Sequence, residues 1–396
     1  MPTDGSTTTS AESTLASAQV ETGSAYPRAR LWLGILAVGA IVMTCLAGLA
    51  LNAGNWFNSL AASEGIGEAG ALAAFVAIYA LLAAPFDLVG GWALPRAYGR
   101  QAAELGAFVA TLTRGVLLQA LFLFISAWGI LNSLRFGGWP AALAFVAGMM
   151  LIQVAGQRWL AMLVGGVRDD NRHRAANQRN ATGSLSSIED GFAGGITGFP
   201  GLERIDLPTR WKQEWSNSQY DLAVDRRQFA VASGLYARGL AVAAVWNLMG
   251  ASLAASLLSD PAGAVGEVVH FSLIVTLWNF LGLLLLPTVS RNAVIQLDRK
   301  MLRQGYSPDD LAELAADCAQ LQDGELLRDS RVEAVFHPIP CLEQRWVGLE
   351  TTEIGPAAWN ASRQMLYLSW PSLGLVARSV HGNAGRPTFW VMPPAD

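Results

Sequence analysis

Long apolar runs alternate with two polar blocks along this chain. A helix needs roughly 20 apolar residues to cross about 30 Å of hydrocarbon. Six runs meet that need: residues 31–53, 70–88, 106–131, 140–164, 236–258 and 268–287. Polar blocks occupy 166–235 and 288–396, so the spans come as four, an insert, two more, and a tail. The first 30 residues are rich in Ser, Thr, Ala and Gly and predict a disordered tail. No basic stretch opens the chain, and the first apolar run is too long for a signal-peptide core, so it predicts a retained span.

The polar blocks carry their own patterns. FAGGITGFPGLERIDL, residues 192–207, predicts a glycine-rich turn leading to a short strand over 202–207, where apolar and polar positions alternate. SNSQYDLAVDRRQF, residues 216–229, predicts an amphipathic helix with Ser216 or Ser218 as its N-cap. Leu222, Val224 and Phe229 supply the apolar face; Asp225, Arg226 and Arg227 supply the polar one. Beyond residue 287 three helices are expected, at 290–304, 308–321 and 324–336. Ser307-Pro308 followed by Asp309 and Asp310 is a strong helix start. MLYLSWPSLGLVA, residues 365–377, is too short to span and predicts an interfacial or buried segment. HGNAGRPTFWVMPP then suggests a turn and a short strand. The fold class is mainly α: a polytopic membrane helical bundle of about six spans with an α+β polar region. Its divisions are a tail (1–30), a four-span region (31–165), an insert (166–235), a two-span region (236–287), cytoplasmic helices (288–348) and a C-terminal extension (349–396).

Composition agrees with this. The chain is 52% hydrophobic and only 15% charged, against about 25% charged residues in globular proteins. A net charge of −4 is too mild to point to a nucleic-acid partner. Three cysteines without CxxC spacing give no disulfide framework or zinc finger. Basic residues flank the spans on one side: Arg28, Arg30, Arg96, Arg100, Arg168, Arg172, Arg174, Arg179, Arg291, Arg299, Lys300 and Arg303. The opposite loops hold Glu64, Glu68, Asp260 and Glu267, with Arg135 their sole base. Cytoplasmic flanks are enriched in Lys and Arg, so both termini and both polar blocks are expected in the cytoplasm. The bilayer is the expected environment.

A few polar residues fall within the spans. Arg114 in the third span is costly at depth, and Asp87 near the end of the second is its expected partner. His270 and Gln153 are expected to be satisfied by helix–helix hydrogen bonds. Trp246-Asn247 and Trp278-Asn279 suggest a packing pair. GGITGFPG has neither the GxxxxGK[ST] pattern nor the strand–loop–helix context of a phosphate loop.

The order of these elements resembles the integral-membrane zinc metallopeptidases of the HtpX and type 1 CAAX prenyl protease kind. Residues 192–207 resemble that family's loop and edge strand. Residues 216–230 resemble the helix that bears H-E-x-x-H, and SRNAVIQLD, residues 290–298, its S-R-x-x-E-x-x-A-D. FHPIPCLEQR, residues 336–345, resembles its late His-Pro…Arg segment, and LLAAPFDLVGGWALPRAYGR, residues 81–100, its N-terminal half. The resemblance implies a metallopeptidase-like scaffold in a bacterial plasma membrane, with a membrane protein, peptide or lipidated tail as partner.

This chain departs from the family where chemistry matters. Two histidines at i and i+4 share one helix face, which is why that spacing binds zinc. Here the aligned positions are Arg226, Arg227 and Ala230, and no histidine occurs between His173 and His270. The downstream ligand position falls on Val294. Ser290, Arg291, Asp298, His337, Pro338 and Arg345 keep the family frame. Arg291 and Asp298, seven apart on nearly one helix face, are expected to be structural, Arg291 pairing with a carboxylate. His337 and Cys341 lie four apart, but Pro338 and Pro340 forbid a regular helix between them. No catalytic residue, metal or cofactor is therefore expected, and the reading is a non-catalytic binding or regulatory protein. Two alternatives stand beside it: an active peptidase with an altered metal site, and a small transporter or channel using Asp87 and Arg114.

Overall fold

The computed structural model describes residues 8–100, 103–170, 182–258, 263–322, 328–351 and 355–393. Arg172, Arg174, Arg179, Asp260 and the expected helix start at 324 lie outside them. The membrane part begins with α1 (Thr8–Ala50), α2 (Ala53–Ala62) and α3 (Gly67–Leu88). A π-helical turn, Val89–Ala93, joins α3 to α4 (Leu94–Ala97), and α5 (Leu105–Ala155) and α6 (Gln157–Val164) follow. After the insert come α9 (Leu235–Leu257) and α10 (Val265–Arg303). Among the described residues five helices are long and apolar enough to cross a membrane: Ala25–Ala50, Gly67–Ala97, Leu105–Ala155, Leu235–Leu257 and Val265–Arg303.

The six predicted spans fall on these five helices because α5 holds two. At 1.5 Å per residue its 51 residues would extend about 76 Å, far beyond one bilayer. It bends at Gly137 and Gly138, and Gly138 takes φ 65°, ψ −159°, a backbone region open to glycine. A Cβ on Gly129 would lie 2.0 Å from the Phe145 ring, so the two arms fold back side by side. Two boundaries differ from expectation. Helix α1 starts at Thr8 rather than after a disordered tail; Ala-rich sequence sustains helix well, and the helix is anchored once Tyr26 and Arg30 become buried. The helix expected at 290–304 is the uninterrupted end of α10. No helix-ending glycine separates it from the span, and Pro287 is accommodated inside the helix.

The insert forms a four-stranded sheet, order β1-β2-β4-β3, from Arg168–Asp169, Thr182–Ser186, Gly195–Thr197 and Arg204–Pro208. β4 pairs parallel to β2 and antiparallel to β3, with Ile196 opposite Ile205. Only β4 was expected. The other strands are two to five residues long, too short for a clear alternation. α7 (Trp211–Glu214) and α8 (Asn217–Ala232) follow. Ser216 caps α8: its hydroxyl accepts from the Gln219 N–H, and the Gln219 side chain accepts from the Ser216 N–H. This is a capping box. α11 (Pro308–Leu321), α12 (Ser330–Phe336) and α13 (Leu342–Glu350) pack beside α8 and α10.

The C-terminal segment is the largest departure from expectation. It is built from α14 (Ala361–Leu368), a 3₁₀ turn (Trp370–Ser372) and α15 (Pro387–Val391). The turn-and-strand expectation for its end is replaced by a turn and helix, since Pro387 presets φ for a first helical position. Nearly every residue from Ala357 to Met392 is buried, against α5, α6, α9 and α10. Polar groups of the spans hold its backbone: the side chains of Gln153, Asn247 and Ser272 donate to the carbonyls of Tyr367, Met365 and Leu373 at 2.8, 2.9 and 2.7 Å. Tyr367 returns a bond to the Gln153 carbonyl at 2.7 Å. The chain thus fills the middle of its own bundle. Buried polar groups need partners, and here the tail supplies them to the donors of Gln153, Asn247 and Ser272.

Candidate functional site

The site is built where α8 and α10 meet. Arg226, Asp298 and Arg345 are all buried, at 2%, 4% and 7% exposure. The Asp298 carboxylate is bridged by Arg226 on one oxygen and, at 3.4 Å, by Arg345 of α13 on the other. Arg345 Nε also donates to the Pro340 carbonyl at 3.4 Å. One turn along each helix lie Ala230 and Val294, both buried. Helical spacing puts them on the same facing surfaces as Arg226 and Asp298. Arg227 points elsewhere. It donates to the carbonyls of Ala223 and Ala193 at 3.0 and 2.9 Å and lies over the Trp211 ring, tying α8 to the turn before β3.

The remaining motif residues brace this contact. Ser290 donates to Leu286 at 3.1 Å and accepts from the Ser362 N–H at 3.1 Å, fastening the tail to α10. Arg291 does not reach a carboxylate. Its guanidinium donates to the carbonyls of Glu333 and His337 at 2.8 Å each, where α12 ends with unsatisfied carbonyl groups. Asp298 instead has two arginines from other helices. His337 terminates α12, Pro338 is buried, and the His337 ring meets that of His381 edge-on at 5.3 Å. Burial and nearby Arg328, His381 and Arg363 hold the His337 imidazole far below its ordinary pKa. Cys341 is buried; desolvation and its contact with Glu333 push its thiol up.

The intramembrane pair predicted between Asp87 and Arg114 does not form. Asp87 is buried and bound by Arg378 of the tail, and it accepts from the Gly385 N–H at 2.8 Å. Arg114 is exposed, and a Cβ on Gly166 would touch its guanidinium. The backbones of Gly91 and Gly385 meet so closely that a Cβ on either would clash at 2.4 Å, which is why the tail can lie against the π turn. The same turn leaves the Gly90 carbonyl to accept from Arg30 at 2.6 Å. His270 accepts from the Gly54 N–H at 3.1 Å, a helix–helix bond as expected, whereas Gln153 bonds to the tail. Trp246 and Trp278 stack at 4.7 Å. Sequence reasoning missed Arg378 altogether; the signal was Asp87 itself, a buried acid needing a cation.

With five apolar helices and a small sheet wedged against a two-helix contact, this is a polytopic helical membrane protein. Residues 5–163 match the family model described as CAAX prenyl protease N-terminal, five membrane helices. The whole fold matches the crystal structure of S. mikatae Ste24p with a TM-score of 0.66, at 12% identity, covering 84% of this chain and 88% of that one. The chain therefore carries a membrane metallopeptidase-like scaffold: its fold is similar to that of Ste24p, and residues 5–163 are similar to the CAAX prenyl protease N-terminal model. No curated protein matches the sequence.

Zinc in such proteins requires nitrogen, thiolate or carboxylate donors. The residues at this helix contact do not fit it. Arg226 presents a cation and Ala230 and Val294 present no lone pair. Among the described residues no three His, Cys, Asp or Glu side chains gather in a way that would hold a metal ion.

Proposed function

We propose that this chain is a non-catalytic membrane protein built on a metallopeptidase-like scaffold, acting by binding a membrane protein, peptide or lipidated segment rather than cutting it. The observation carrying this reading is the Arg226–Asp298–Arg345 bridge. A guanidinium between the two helices repels a divalent cation and fills the space a metal and its water need. The tail supports the reading in a second way. It occupies the bundle interior and accepts hydrogen bonds there from Gln153, Asn247 and Ser272, so a partner meets the protein from outside. The test incubates purified full-length protein with a fluorescent lipidated peptide, with and without EDTA. The peptide should be recovered uncut in both arms. A product that disappears with EDTA overturns the proposal.

A further inference from the structure

Beside the helix contact lies a cavity of about 800 Å³, between the start of the first span, α11, α12 and the tail. Small-molecule sites occupy roughly 300–1,000 Å³, so it has room for a ligand. The arginines along it have partners for their charged ends. Arg345 is bound to Asp298 and Arg386 to Glu189. Arg30 donates to the carbonyls of Gly90 and His381 at 2.6 and 2.8 Å, and Arg328 to that of Ile339 at 3.1 Å. A guanidinium held in this way leaves its aliphatic stem to line a wall. Burial and the neighbouring arginines also keep His337 and His381 neutral. The rest of the lining is hydrocarbon: Leu31, Trp32 and Ile35 from the first span, Val332 and Phe336 from one face of α12, and Phe389 from the tail.

This apolar lining continues onto the face of the first span that meets the bilayer. Trp32 lines the cavity and is 64% exposed; Leu36 and Met43 are 63% and 65% exposed. Spacings of four and seven residues keep all three on one side of α1. They form an apolar stripe that runs from the cavity into the span for roughly 16 Å, at 1.5 Å per residue. By contrast, α11 and α12 lie in the polar region beyond the last span. We propose that this cavity takes up one acyl chain of a bilayer lipid, which enters at Trp32 and reaches Phe336 of α12, while the second chain lies along Leu36 and Met43. Apolar contact selects this ligand, not headgroup charge, because the arginine ends are already engaged. The inference goes beyond the non-catalytic reading and holds whether or not a metal sits between α8 and α10.

The test places the full chain in phosphatidylcholine nanodiscs doped with phosphatidylcholine that carries a photoactivatable diazirine at the end of one acyl chain. After irradiation, labelled peptides are mapped by mass spectrometry. Label should appear on α12, outside the spans, as well as on the first span. A phosphatidylglycerol probe with the same chain should label α12 equally. Ala319→Trp, which fills the cavity from α11, should lower α12 labelling by about fivefold or more and leave labelling of the first span in place. Trp32→Ala should lower α12 labelling too, and Trp32 is exposed, so that variant stays folded even if Ala319→Trp does not. Absence of label on α12 overturns the proposal, as does α12 labelling unchanged in the Trp32 variant. Labelling of α12 by the phosphatidylglycerol probe alone overturns it in favour of headgroup recognition.

Discussion

Replacing Asp298 by asparagine isolates the central contact. The carboxylate is 4% exposed and holds Arg226 and Arg345, which are 2% and 7% exposed. The substitution keeps the volume and one acceptor but removes the counter-charge that two buried guanidinium groups share. Breaking a buried pair by removing one partner costs about 3–5 kcal/mol, because the remaining charge stays desolvated. That is a large share of a net stability of about 5–15 kcal/mol. At about 2.1 cal/mol/K of unfolding entropy per residue, each kcal/mol moves the midpoint of this 396-residue chain by roughly 1 °C, so Asp298→Asn should lower Tm by roughly 4–6 °C. Tryptophan fluorescence during heating in detergent reads this directly. Arg226→Met should cost less, because Asp298 keeps Arg345. The double variant should be milder than the sum of the two singles, since Arg226 is no longer stranded and only Arg345 loses its carboxylate. A Tm within about 1 °C of the parent for Asp298→Asn, or strict additivity, would refute the bridge as a buried ionic contact.

Other expectations follow from the same structure. Arg378→Met should destabilise by about 3–5 kcal/mol by stranding Asp87, read as a lowered midpoint; an unchanged midpoint contradicts the pairing. Deleting residues from 356 onward should abolish monodisperse protein on size exclusion, because Gln153, Asn247, Ser272 and Asp87 lose their tail partners; a well-behaved truncation shows the tail is not core. Acid should also weaken the fold through His337 and His381. Their folded pKa values lie below the ordinary 6.5, so the unfolded chain binds more protons as pH falls through that value and stability is lost. For His381 alone, at about 3, the loss between pH 7 and pH 5 is about 2 kcal/mol. His381→Gln should flatten that part of the stability–pH curve, and an unaltered slope contradicts the burial of a neutral imidazole.

Hydropathy alone indicated a polytopic helical membrane protein, and its six apolar runs fall on the five long apolar helices among the described residues, because the bilayer imposes a length and polarity rule that single residues cannot evade. The α8 cap was legible as well, since Ser216 and Gln219 interact only locally. Long-range facts were not. Residues 349–396 lack a clean period, and their burial depends on bonds to side chains more than 90 positions away, such as Gln153 to Tyr367 and Ser272 to Leu373. The Asp87 pairing failed for the same reason: Arg114 was the basic residue at hand in the spans, while Arg378 arrives from the far end of the chain. At the helix contact, residue types alone indicated that metal donors were lacking. That Arg226 bridges Asp298 with Arg345, and that Arg291 instead clamps the end of α12, required the fold.

The metal content of the purified full-length protein tests the central claim most directly. Protein prepared in zinc-supplemented buffer, exchanged into metal-free buffer and analysed by plasma mass spectrometry should carry far less than one zinc per chain. Stoichiometric zinc that is lost on Arg226→Ala or Asp298→Asn, accompanied by chelator-sensitive proteolysis, would contradict it.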